Sequence, residues 1–364
     1  GRPVHADRIR PDARGLLPPS IPAMIRSIPL FPLLVAATCG IAAAGCSDSA
    51  GRVDARSARS GDSPAWNAPS ADPDRIVLTW SGDPATTQSV TWRTDTTVAR
   101  GVAEVALATP EPGFVGEATA VDAVTETLDA RAVEMAETVA RFHSATFTGL
   151  TPDTVYAYRV GDGERWSEWF HFRTASTEAE PFSFIYFGDA QNDVLSLWSR
   201  VIREGYATAP RARFMIHAGD LVNRAHADLE WGEWFRAGGF IHAMVPSVPA
   251  AGNHEYHGYT EVEDEADVEH LSVFWQPQFA LPQEGAEGVP PETSYYLDYQ
   301  GVRVVVLNSS EDLEAQAAWL DRVLADNPAT WTVVTHHHPV WSASEGRDNE
   351  ELRAAGKHVY DHHG

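Results

Sequence analysis

FMIHAGDLVN, residues 214–223, is a short apolar run that ends on a glycine and an aspartate. Such a run, bounded by a turn signal, reads as a buried strand. The glycine permits a tight turn at the strand's end, and the next side chain then projects into the crevice at the carboxyl edge of a sheet. One Gly-Asp carries no information. The same grammar recurs in FSFIYFGD (182–189), ending in Gly188-Asp189, and in MVPSVPAAGNHE (244–255), ending in Gly252-Asn253-His254-Glu255. A fourth strand-like run, TWTVV (330–334), leads into His336-His337-His338. Gathering Asp189, Asp220, Asn253 and one histidine at one sheet edge concentrates negative charge, which two close carboxylates tolerate poorly. A pair of cations bridged by one carboxylate removes that conflict, and oxygen and imidazole ligands suit Fe, Mn or Zn. Turn chemistry and capping explain each motif alone, but not the ordered set. Successive side chains of an extended segment face opposite ways, so the three histidines cannot all point at one ion.

Outward from these strands the pattern alternates. A helix is expected from about Asp193 to Ala207, another at WGEWFRAGGF (231–240), and two strands joined at Gln300-Gly301 in SYYLDYQGVRVVVLNS (294–309). SSEDLEAQAAWLDRVLAD (309–326) reads as a helix, with Ser309 and Asp312 at capping-box spacing and Leu313, Ala317, Leu320 and Leu324 on one face. Strands alternating with helices make a layered α/β domain. Residues 75–175 differ: IVLTW puts Ile76, Leu78 and Trp80 on one face, VYAYRV puts Tyr156, Tyr158 and Val160 on one face, and FHF alternates through Phe170 and Phe172. Short alternating strands punctuated by turns suggest an all-β sandwich, and its last part resembles a fibronectin type III-like domain.

The formal charge of −24, from 51 Asp and Glu against 27 Lys and Arg, argues against nucleic-acid binding. The first methionine is Met24, after an upstream extension over residues 1–23. Residues 24–46, MIRSIPLFPLLVAATCGIAAAGC, have the layout of a secretory signal peptide, too short and proline-broken for a membrane span. AAAGC resembles a lipoprotein lipobox with Cys46 as the lipidated residue; the alternative is an ordinary signal peptide with an incidental cysteine. The protein is therefore expected to be exported and lipid-anchored on the periplasmic or extracellular face, or otherwise secreted. Both cysteines, Cys39 and Cys46, fall in this leader, which leaves none in the mature domain for a disulfide, nucleophile or metal ligand. Residues 47–74, rich in Ser, Asp, Ala, Gly and Pro, read as a flexible linker.

In their order, GD, GDLVN, GNHE and VVTHHHP resemble the motifs of the calcineurin-like metallophosphoesterases, and the preceding sandwich narrows the resemblance to purple acid phosphatases. The resemblance implies a β-sandwich over 75–175 and an α/β/β/α catalytic domain over 181–364. It implies two metal ions, with Asp189 on the first, Asp220 bridging, and Asn253 and His337 on the second, since Val334-Thr335-His336-His337 fits the family's Val-x-x-His. A metal-bridging hydroxide would attack phosphorus in a phosphate mono- or diester, and His254 would protonate the leaving alkoxide or orient the phosphate. His338 takes a place near the substrate, and His336 packs away from the metals. Arg224 and His257 are candidates for substrate contact or for plain surface residues, and the acidic run YTEVEDEADVEH (259–270) reads as a solvated lid.

The sequence departs from the family's pattern in three places. Asn223 stands where purple acid phosphatases carry the tyrosinate that colours ferric iron, so no such absorption band is expected. Gln191 stands where many relatives carry a histidine; Gln191 and Asn223 are candidates for neutral-oxygen or water-mediated contacts to the first metal. The family's last motif, Gly-His-x-His, is missing: the sequence ends at YDHHG, and His362 and His363 follow a helical stretch, NEELRAAGKHVY, so they read as exposed helix-end residues. The resemblance thus implies a C-terminally incomplete chain, inactive for want of those ligands. The competing reading is a non-catalytic cell-surface binding protein with a degenerate metal site. A metallo-β-lactamase-type hydrolase would need a His-x-His-x-Asp-His cluster, which the sequence lacks.

Overall fold

Residues 64–256 and 270–363 are described by a computed structural model. The leader with Cys46, His257 and nearly all of the acidic run lie outside the described residues. Eight strands build the N-terminal part: β1 (Asp74–Thr79), β2 (Gln88–Thr94), β3 (Val102–Leu107), β4 (Thr119–Asp122), β5 (Val124–Asp129), β6 (Val139–Phe147), β7 (Val155–Gly161) and β8 (Phe170–Arg173). They form two antiparallel sheets, β1-β2-β6-β5 and β4-β3-β7-β8. Alternation sends Leu78, Tyr156, Tyr158, Val160, Phe170 and Phe172 into one core between the sheets. Trp80 is a correction: it lies past the end of β1 and packs on Phe214 and Tyr299 of the following domain, at ring-centroid distances of 6.0 and 5.6 Å. The expected linker also ends earlier, since Asn67 is buried and donates to Asp228 (2.8 Å).

The second domain runs through β9 (Ile185–Phe187), α1 (Ser199–Thr208), β10 (Met215–Ala218), α2 (Asp228–Gly238), α3 (Phe240–Met244), β11 (Ser247–Ala250) and α4 (Trp275–Gln278). It continues with β12 (Tyr295–Tyr299), β13 (Val302–Val306), α5 (Leu313–Ala325), β14 (Trp331–Thr335) and α6 (Glu350–His363). One sheet is parallel, β11-β10-β9; the other, β12-β13-β14, begins with the hairpin at Gln300-Gly301, both at positive φ. Ile216 and Val248 share a core with Tyr295, Val304 and Val306 between the sheets. Val305 points the other way, onto Ala317, Trp319 and Leu320 of α5 and Val359 of α6. On the far side, His217 of β10 packs against Trp198 and, from α2, Trp234. The result is an α/β/β/α sandwich.

Local details correct the reading. The helix expected from Asp193 opens with a π turn, Val194–Trp198, before α1. WGEWFRAGGF is broken at Gly239 (φ 52), which separates α2 from α3. Ser309 caps nothing: α5 starts at Leu313, and its N-cap Asp312 accepts the Ala315 N–H (2.9 Å).

Candidate metal centre

Parallel register determines what the strand ends present. Met215 pairs with Ile185, and Ala218 with Ala250, so the turns after β9, β10 and β11 lie side by side. The pairing continues past the strands, where Asp189 N–H donates to Gly219 O (3.2 Å) and Gln191 N–H to Asp220 O (3.0 Å). Asp189 and Asp220 both adopt left-handed backbone, at φ 51 and 53, which non-glycine residues visit sparingly and functional sites often hold. Gly252 has no room for a side chain: an added Cβ would stand 2.3 Å from Asp220 Oδ1 and 2.9 Å from the His337 ring. That missing methyl lets carboxylate and imidazole approach.

The carboxylates of Asp189 and Asp220 and the His337 ring offer ligand atoms within 4.8 Å of one another. Asp220 is buried, and Asp189 is exposed at the solvent side. His337 Nδ1–H donates to Ala218 O (3.0 Å), which in the neutral ring leaves Nε2 as a lone pair. That lone pair faces Asp220 Oδ2 at 3.2 Å and Asn253 Oδ1 at 3.1 Å. Three electron-rich atoms converge, an arrangement that calls for a proton or a cation between them. Burial would lower the His337 pKa, but the hydrogen bond and charge of Asp220 override it and push it up to about 9. Gln191 donates Nε2–H to Asp220 Oδ2 (2.9 Å), and its own buried Oε1 has no hydrogen-bond partner among the described residues. An orphaned amide oxygen beside this cluster fits a metal or its water.

The other candidates fall into place around these. His254 is buried, takes its backbone N–H to Asp220 Oδ1 (3.0 Å), donates Nδ1–H to Asn223 O (2.7 Å) and holds Nε2 3.8 Å from Asp220 Oδ2. Asn223 thus contacts the site through its carbonyl. Arg224 has its guanidinium on Glu230 (2.6 Å). His338 lies beside His337, ring centroids 5.0 Å apart, with Nδ1 2.8 Å from Ser309 Oγ. His336 turns back onto the His338 carbonyl (2.7 Å). His362 is exposed at the end of α6, whereas His363 is half-buried against Asp321 (2.8 Å). Glu255, to which the sequence reading gave no role, is wholly buried beside Asp220; its position three residues after Gly252 in the same turn was the available signal.

Residues 73–174 match the family model of the purple acid phosphatase N-terminal domain, and residues 182–362 that of the calcineurin-like phosphoesterases. An uncharacterized protein of Mycobacterium tuberculosis, Rv2577, is 26% identical over 312 residues, covering 76% of this chain and 56% of its own. Its counterpart in a second strain matches equally. The chain spans about half the length of the curated relatives it matches. The solved structure of purple acid phosphatase PPD1 from yellow lupin (Lupinus luteus) seeds is similar at a TM-score of 0.66 and 19% identity, over 80% of this chain and 56% of that one. That likeness shows the fold. With both parts matched in order, the chain belongs to the calcineurin-like phosphoesterases and carries the purple acid phosphatase N-terminal domain in front of its phosphoesterase fold.

Proposed function

We propose that the protein hydrolyses phosphate mono- or diesters at a centre of two metal ions, drawn from Fe, Mn and Zn and held by Asp189, Asp220, Asn253 and His337. The observation that carries this reading is that His337 Nε2 faces both Asp220 Oδ2 (3.2 Å) and Asn253 Oδ1 (3.1 Å). Metal ions bound there supply Lewis acidity, neutralising phosphoryl oxygens and lowering the pKa of the attacking water. The chain's own residues orient and move protons. With Nδ1–H committed to Asn223, His254 keeps Nε2 on the carboxylate side, where its protonated form gives a proton to the leaving alkoxide. His338, braced by Ser309 and lying beside His337, serves as a substrate contact in this reading. A chain of net charge −24 suits small esters rather than polyanionic nucleic acid. Export and anchoring through Cys46 complete the reading, and fatty-acid labelling that Cys46→Ser abolishes is the corresponding test.

The full-length protein is expected to hydrolyse p-nitrophenyl phosphate or its bis-ester once loaded with Fe, Mn or Zn. A chelator and Asp220→Ala should each abolish the turnover. Activity surviving Asp220→Ala would refute the site. No turnover with any of the three metals would favour a non-catalytic cell-surface binding protein.

A further inference from the structure

Five consecutive backbone N–H groups, Asp220 to Arg224, are all received by two carboxylates. Glu255 Oε2 accepts from Asp220 (2.9 Å) and from Gly252 (2.7 Å), and Oε1 accepts from Leu221 (2.8 Å) and Val222 (3.3 Å). Glu230 Oε2 then takes the N–H of Asn223 (2.9 Å) and Arg224 (2.8 Å), while Oε1 takes Arg224 Nε–H (2.7 Å). A carboxylate buried as fully as Glu255 is costly unless its lone pairs are met, and four N–H donors meet them. The donors need the acceptor equally, since buried N–H groups without partners are rare in folded chains.

This arrangement leaves the turn no freedom. Glu255 grips Asp220 and Gly252 with the same oxygen, so one side chain ties the turn after β10 to the turn after β11. It thereby sets where the Asp220 carboxylate stands relative to Asn253, and holds Asp220 in left-handed backbone. At the far end, Glu230 fixes Asn223, whose carbonyl receives His254 Nδ1–H. Neither glutamate approaches the reacting atoms; both act through neighbours.

We propose that Glu255 and Glu230 are positioning residues, Glu255 presetting Asp220 and Asn253 as a ligand pair and Glu230 setting the orientation of His254. The Glu255 half rests on the metal centre proposed above; the Glu230 half rests on geometry alone.

In Glu255→Gln an amide NH2 would face two of the N–H donors, donor against donor. Titrating Mn2+ calorimetrically into the metal-free full-length protein, Glu255→Gln is expected to weaken binding by about 10–100-fold, as loss of a group supporting metal ligands typically does. Glu255→Asp keeps the charge and shortens its reach, so it should lose affinity by a smaller factor. In the metal-free protein, Glu230→Ala should lose the Nδ1–H tautomer signature of His254 in 15N spectra, assigned by its absence in His254→Gln. Wild-type Mn2+ affinity in a folded Glu255 variant overturns the role of Glu255. An unchanged His254 signal in Glu230→Ala overturns that of Glu230. If the wild type itself binds no Mn2+, the metal centre fails and Glu255's role with it, whereas the spectra still decide Glu230.

Discussion

Replacing Asp228 by alanine is expected to lower the unfolding free energy, followed by urea denaturation, by about 3–5 kcal/mol. Asp228 opens α2 and is buried where the sandwich meets the phosphoesterase domain. Its Oδ1 lies 2.8 Å from Arg75 Nη2 and 3.6 Å from Arg93 Nη1, and its Oδ2 accepts from Asn67. Both arginine side chains are almost fully buried, at 3% and 1% exposure. Burial lowers the Arg75 pKa to about 10, with Asp228 opposing that shift and Arg93 adding to it. Without Asp228, Arg75 keeps no carboxylate at ion-pair distance among the described residues, and Arg93 keeps Asp74, whose side chain is a third exposed. Breaking such a pair is costly because a charge is stranded, whereas replacing both partners by apolar groups is often neutral. The pair Arg75→Met with Asp228→Leu should therefore recover most of the loss. A loss below about 1 kcal/mol in Asp228→Ala would show that water already solvates the network. The consequence reaches the site, because Glu230, which holds Asn223 and Arg224, belongs to the same first turn of α2.

How much of this could be read from the residues depends on the range of the interaction that decides each feature. A strand ending on glycine is a statement about seven or eight neighbours, so Gly188-Asp189, Gly219-Asp220 and Gly252-Asn253 were legible. Their parallel register then brought the named side chains together. The choice of His337 among three histidines came from the family's spacing; geometry separates them by partner, with Ala218 for His337, Ser309 for His338 and a local carbonyl for His336. Trp80 was misplaced because alternation says which way a side chain faces only while the strand lasts. Glu230 carried no signal of its partners, and the place of Glu255 three residues after Gly252 signalled that one contact but not the N–H groups of Asp220 to Val222. A glutamate in a helix's first turn reads as a dipole partner. Histidine as a residue type points nowhere by itself: His143, His217 and His242 are core residues.

Acid should expose that core. His242 is buried, with its ring stacked on Trp234 at 4.0 Å and 5.9 Å from the ring of His217. Burial pushes its pKa down to about 3, with a small opposing contribution from the Trp234 backbone. The unfolded chain therefore takes up a proton near pH 6.5 that the folded chain refuses until about pH 3. Stability contributed by the neutral ring is fully present above pH 6.5 and is lost as pH falls, by up to about 5 kcal/mol across that window at 1.36 kcal/mol per unit. His143, pushed down to about 4 first by burial and then by Arg141, acts with the same sign. Glu292, pushed up to about 7 chiefly by burial, acts oppositely: its contribution is present below pH 4.5 and lost as pH rises through 7. A single stability curve mixes these signs, so the informative quantity is the gap between wild type and His242→Phe. Phenylalanine keeps the stack on Trp234 and carries no proton, so any packing cost it brings is constant with pH. The gap should shift in favour of His242→Phe by several kcal/mol between pH 6.5 and about 3.5. Parallel curves would mean that the His242 ring meets water or is already charged in the fold. The effect reaches the site because His217, the neighbour of His242, sits on β10, the strand whose end carries Asp220. Acid strong enough to protonate this layer is expected to loosen the sheet edge that presents the proposed ligands.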